Sequence, residues 1–192
     1  RSRVHGTDRL RSCVLVGQTQ PRVPAMTRLF LDCEWADLEG TRLVSLALVS
    51  QDAQHHFYAE IDPLPEQPTD FVRDTVYPLL ERGDTARSSQ ALSEGIRAFL
   101  AGFERPVVLY DYHVDGKLLE RALQPVGGTG VIPDLQLSLI FNDRVMRLVE
   151  EYFALNPAEA DRRHHALVDA RALRWAFVLA LKYRKRGDRM AL

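Results

Sequence analysis

The stretch Arg28-Leu29-Phe30-Leu31-Asp32-Cys33-Glu34-Trp35 decides how the rest of the chain is read. Its composition is that of a buried β-strand, yet it carries two acids. Successive strand side chains point to opposite faces, so Asp32 and Glu34 share a face with Phe30, while Leu31, Cys33 and Trp35 take the other. Two carboxylates this close in an apolar strand repel each other and lose hydration. A cation relieves both costs, and oxygen ligands suit hard ions such as Mg²⁺ or Mn²⁺. The alternative, from this tripeptide alone, is a strand end whose acids already face water.

Outward from that strand, Ala36 to Thr41 is a polar turn, Leu43 to Val49 reads as a second strand, and His55 to Ile61 reads as a third. Short turns between them predict an antiparallel meander. Three prolines in residues 62–68 break the pattern, and a short helix is expected around Asp70 to Tyr77. Ser88 and Ser89 cap a helix that buries Leu92, Ile96, Phe99 and Phe103. Pro106 to Tyr110 is a short apolar strand running into a helix over His113 to Leu123. After a glycine-rich loop, Val131-Ile132 reads as a last strand, and Leu137 to Leu155 as one or two helices with Phe141, Val145, Leu148 and Tyr152 on one side. A final helix begins near Ala166 and buries Ala166, Ala170, Leu173 and Phe177. The outline is one α/β domain, a mixed sheet with a three-strand antiparallel meander and helices on its faces.

Composition narrows the class. The chain has 192 residues, 46% hydrophobic, enough for one domain with a sizeable core. A net charge of −1 excludes a protein that coats nucleic acid by bulk charge, so a bound polyanion must meet a local basic patch or metal. The cysteines, Cys13 and Cys33, lie far apart and suggest no disulfide framework, which fits a reducing cytosol. No apolar run approaches the roughly 18 residues of a membrane span. Residues 1–25 are rich in Arg and without periodicity, and Met26 directly precedes the first strand. They read as a disordered leader or an over-extended start, with a nucleic-acid-binding basic arm as the functional alternative. Residues 26–192 then form the folded domain.

Further acids fall where strands meet helices. Asp115 lies at the start of a helix anchored by Leu118 and Leu119, at the kind of strand-to-helix edge where ligands gather in open α/β sheets. A first-turn acid facing the helix dipole is the alternative for Asp115, and for Asp111. Asp169 sits between two alanines early in the last helix, where small neighbours allow close approach to a strand. His164, five positions earlier, falls in the preceding loop and is a candidate base beside acids.

The ordered set Asp32-x-Glu34, Asp115 before a Leu-Leu pair, and His164-x-Ala166-Leu167-x-Asp169-Ala170 resembles the DEDD superfamily of 3′–5′ exonucleases. His164 at five before the last acid, with no Tyr at four, places the resemblance in the His (DEDDh) branch, nearest the small mycobacterial-type exoribonucleases and related to RNase T and oligoribonuclease. It implies an RNase H-like fold over roughly residues 27–182. It implies that Asp32, Glu34, Asp115 and Asp169 hold two Mg²⁺ or Mn²⁺ ions and that His164 deprotonates the attacking water. It also implies a cytoplasmic protein, a homodimer, and a single-stranded nucleic-acid substrate, RNA favoured over DNA, cut to nucleoside 5′-monophosphates. The chain departs from oligoribonuclease and RNase T after Glu34, and has Asp111 where many relatives have Asn. Trp35 is expected to stack a base or to belong to the core. Leu38 is a candidate wedge, Tyr112 a neighbour of the site, and Arg162, Arg163, Arg171 and Arg174 are candidate phosphate contacts. A DNA exonuclease of proofreading type, and a binding protein without turnover, are the other functions considered.

Overall fold

The structure, a computed structural model, describes residues 26–124 and 135–190. Strand β1 (Thr27–Trp35) occupies the middle of the sheet, and its Leu29, Phe30 and Leu31 are fully buried. It pairs antiparallel with β2 (Leu43–Ser50), which pairs antiparallel with β3 (His56–Ile61), giving the meander expected from the sequence. On its other side β1 pairs parallel with β5 (Pro106–Tyr110), which pairs parallel with β6 (Gln136–Leu139). A two-residue strand, β4 (Ala86–Arg87), joins β3 in parallel, so the order is β4-β3-β2-β1-β5-β6.

Helices cover both faces. Helix α1 (Ser89–Ala101), capped by the Ser88 hydroxyl accepting from the Ala91 N–H, and α2 (His113–Leu123) pack on the face that carries Leu29, Leu31 and Cys33. Helix α3 (Asp143–Leu155), the short α4 (Pro157–Ala160) and the long α5 (Ala166–Met190) belong to the opposite side, where Phe30 meets Val145, Val168 and Leu173. The alternation in β1 therefore sends Leu31 and Cys33 one way, and Phe30, Asp32 and Glu34 toward α5. Ala47, opposite Asp32 in the ladder, clusters with Ala166 and Ala170, which lets α5 lie close over β1 and β2.

Several elements differ from expectation. Residues 137–139 belong to β6, not to a helix, because the strand completes a parallel ladder with β5. Helix α3 starts only after Asn142, whose side chain accepts from the Arg144 and Val145 N–H groups. Phe141 therefore lies between the two elements at 93% exposure, not on a buried helix face. Phe103 lies beyond the end of α1 but still packs on Phe99, and Phe177 is half-buried against Phe30. The short helix expected around Asp70 to Tyr77 is present, as a wide turn, Val72–Val76, followed by a tight one, Tyr77–Leu79. The expected strand at Val131-Ile132, Cys13 and the leader lie outside the described residues. No helix among the described residues is long and apolar enough to cross a membrane.

The turn after β1 is fixed by Gly40. Its φ is +65°, and a Cβ there would sit 2.5 Å from Val114 Cγ1 on α2. Gly83 shares the left-handed backbone, at φ +59°, but has open space around it. Gly40→Ala should therefore destabilise the fold by about 2–4 kcal/mol, combining strain and overpacking, and Gly83→Ala by only about 1–2 kcal/mol. Chemical denaturation of the two variants checks this; equal losses would mean that the Val114 contact is easily relieved.

Candidate active site

Three elements bring acids, and a loop brings a histidine, to one cleft. β1 supplies Asp32 and Glu34, the β5–α2 junction supplies Asp111 and Asp115, α5 supplies Asp169, and the loop before α5 supplies His164. The cleft lies beyond the carboxyl ends of the parallel strands β1 and β5. Asp115 comes close because Gly116 leaves room: a Cβ there would fall 2.6 Å from the Tyr110 ring. A register shift between Glu34 and Trp35 ends the regular ladder at the cleft.

The side chains form two sets. One ligand atom each from Glu34, His164 and Asp169 lie within 4.8 Å of one another, as do one each from Asp32, Asp111 and Asp115. Asp32 Oδ2, Asp115 Oδ1 and Asp169 Oδ1 are buried and have no hydrogen-bond partner in the protein. Buried carboxylate oxygens without donors are costly. Oxygens grouped at this spacing fit a hard divalent cation, whose preferred ligands are carboxylates.

The electrostatics agree. Burial, then the neighbouring acids, pushes the Asp32 and Glu34 carboxyls well above the usual range. Burial and Asp111 push Asp115 up to about 8, and burial pushes Asp169 up to about 7. Burial also raises Asp111. His164 moves the other way: burial, then the nearby Arg163 cation, lowers its pKa, so its ring is neutral near pH 7.

His164 is held in a left-handed backbone, φ +73°, by Asp169 Oδ2 accepting its N–H at 2.9 Å. Its ring meets Phe71 edge-on at 4.9 Å. His165 does not line the cleft. It is 1% exposed, stacks on Tyr58 at 4.6 Å, and places Nε2 3.4 Å from Glu81. Glu81 in turn is held by Glu60, a fully buried acid whose carboxylate accepts the Glu81 and Arg82 N–H groups and the Tyr58 hydroxyl. A chain of contacts thus runs from β3 to the loop that carries His164.

The expected substrate contacts are arranged as follows. Trp35 is half-buried against the α1–α2 side of the core and stacks on Tyr112 at 5.7 Å with a 5° interplanar angle, so it serves the core and the cleft at once. Leu38, 88% exposed, borders a second hollow with Trp35, Phe71 and His164. Arg163 lines the cleft but is tied to Glu150 by two hydrogen bonds and lies over Phe153. Arg162 pairs with Glu81, and Arg174 donates to the Ser50 and Gln51 carbonyls, so both act in holding loops. Two residues were not foreseen as part of the site: Asp111 and Phe71. Asp111 carried a signal, a fourth acid at a strand-to-helix edge; Phe71 carried none.

No protein-family model matches the chain, and a search of curated proteins finds no match. Among solved structures, exonuclease I, reported as suggesting how processivity is achieved, superposes with a TM-score of 0.54 at 16% identity. The match covers 78% of this chain and 39% of that one, so the chain spans well under half the length of that exonuclease. The shared architecture is the RNase H-like fold, a mixed sheet flanked by helices.

The raised acid pKa values set a pH dependence. Unfolded Asp has a pKa of about 3.9, well below the folded values of about 8 and 7 for Asp115 and Asp169. The folded, metal-free protein therefore holds extra protons. Their stabilising contribution is full below about pH 4 and is lost as pH rises toward 8. Chelated protein should melt at least about 3 °C lower at pH 8 than at pH 6, and Asp115→Asn should narrow that gap. Mn²⁺ should raise the melting temperature more at pH 8 than at pH 6. A chelated melting temperature that rises between these pH values would contradict the buried-acid account.

Proposed function

We propose that this protein is a metal-dependent 3′–5′ exonuclease acting on single-stranded nucleic acid, RNA in preference to DNA, that releases nucleoside 5′-monophosphates. The observation that carries this reading is the convergence of Asp32, Glu34, Asp115 and Asp169, three of them with unpartnered buried oxygens, beside His164 in one cleft. The exonuclease fold and the ordered motifs of the sequence support it. The preference for RNA rests on the motif resemblance.

In this reading the four carboxylates would hold two Mg²⁺ or Mn²⁺ ions. Bound divalent ions neutralise the scissile phosphate and acidify the attacking water. The chain's own residues do the rest. The hollow bordered by Leu38, Trp35 and Phe71 receives the terminal nucleobase, where aromatic stacking contributes about 1–3 kcal/mol. The unprotonated ring nitrogen of His164 takes a proton from the water as the water oxygen bonds to phosphorus and the P–O3′ bond breaks, the departing O3′ taking a proton from solvent. Burial and Arg163 keep that nitrogen free. Phe71, against the ring edge, and Asp169, on the backbone N–H, hold the imidazole in place. His165 is committed to Tyr58 and Glu81 and does not replace it.

The test is digestion of matched 5′-labelled single-stranded RNA and DNA with Mn²⁺ or Mg²⁺. RNA should shorten stepwise from its 3′ end faster than DNA. Asp32→Ala should abolish turnover, and His164→Ala should slow it by about 10²–10⁴-fold, the usual weight of a general base. Faster digestion of DNA would reverse the substrate preference. An unchanged rate in Asp32→Ala, or no cleavage of either polymer, would refute the assignment.

A further inference from the structure

We propose that Asp111 is a fifth carboxylate ligand of the metal centre, which with Asp32 and Asp115 builds a cation site that fills before any nucleic acid binds. The inference rests on the metal-dependent reading above and goes beyond the four acids assigned there.

Asp111 immediately follows the last residue of β5 and precedes Tyr112, the residue that caps α2. It does not serve as that cap, and the Tyr112 side chain makes no capping hydrogen bond either. No Lys or Arg among the described residues forms an ion pair with Asp32, Asp111 or Asp115. Yet the three carboxylates each bring an oxygen within 4.8 Å of the other two. The third member is not a surface acid that drifts into the group. Asp115 is 1% exposed, and its Oδ1 has no partner in the protein although it lines the cleft. Asp32 Oδ2 is in the same position.

Three like charges at this spacing, facing one another without a cationic side chain, call for a divalent ion. Hard ions take all-oxygen sites, and affinity rises with the number of charged ligands. The other set, Glu34 and Asp169 with His164 beside them, shares no residue with this one, so the two sites draw on separate carboxylates. Five carboxylates exceed the charge of two divalent ions by one. The site therefore does not need a substrate phosphate to complete the binding of its second ion. Asp111→Asn keeps the shape and one oxygen but removes the charge, and should convert that ion from resident to substrate-assisted.

The experiment is a Mn²⁺ titration of the full chain, free of nucleic acid, followed by electron paramagnetic resonance of the unbound ion. The wild type should bind two ions. Asp111→Asn should keep one unchanged and weaken the other at least about tenfold, since even residues that only support metal ligands cost that much when changed. Asp111→Glu, which restores the charge, should recover part of the loss. Far-UV circular dichroism checks folding, with Asp111→Ser as a second variant if Asp111→Asn unfolds. Two ions bound with unchanged affinities in the variant would overturn the role of Asp111 alone. One ion in the wild type would overturn the preformed second site, and none would overturn the metal-dependent reading with it.

Discussion

Like charges held together away from water are the constraint on which this structure depends. Two sets of acids meet beyond the carboxyl ends of β1 and β5, and burial raises the pKa of every one of the five. Such an arrangement opposes folding unless protons or cations offset it. The rest of the fold supplies the offset in packing. Leu29, Phe30 and Leu31 fix β1 in the core, so that the alternate residues Asp32 and Glu34 have one direction to face. Alanines on β2 and α5 bring Asp169 down to that strand, and Gly116 lets α2 bring Asp115 across.

A second buried acid works in the opposite way. Glu60 has no exposed surface, but its oxygens are used by backbone N–H groups, Arg82 and Tyr58. Satisfied in this manner, a buried carboxylate organises its surroundings. It orders the Glu81–Arg82 segment, which pairs with Arg162 and lies beside His165, next to the loop that presents His164. The two kinds of buried acid divide the molecule into a hydrogen-bonded frame and an acidic cleft. The strained backbone at His164 sits at their boundary, where left-handed conformations of non-glycine residues tend to carry function.

Much of this was legible in the sequence, for physical reasons that can be named. The period-2 pattern of residues 28–35 told which face the acids share, and the aliphatic runs after it gave the meander. Ser88 and the alanines around Asp169 read correctly because capping and close packing are local demands. The errors came where the deciding partner is distant. Residues 136–139 form a strand only because β5 offers them a ladder, and their own apolar spacing suits a helix equally well. Phe141 follows that strand and is exposed for the same reason. β4 is two residues long and exists through its pairing with β3. Phe71 reaches His164 across 93 residues of chain, a contact that no local pattern encodes. For Asp111 the sequence leaves a helix-dipole role open, because sequence alone does not show which carboxylates share a cleft.

The account stands on divalent ions lying between these carboxylates. X-ray diffraction from Mn²⁺-soaked crystals, collected at the manganese absorption edge, locates such ions directly. Anomalous density is expected in the cleft, bounded by the side chains of β1, α2 and α5. Crystals that take up manganese only at other surfaces, leaving the cleft without anomalous density, would contradict it.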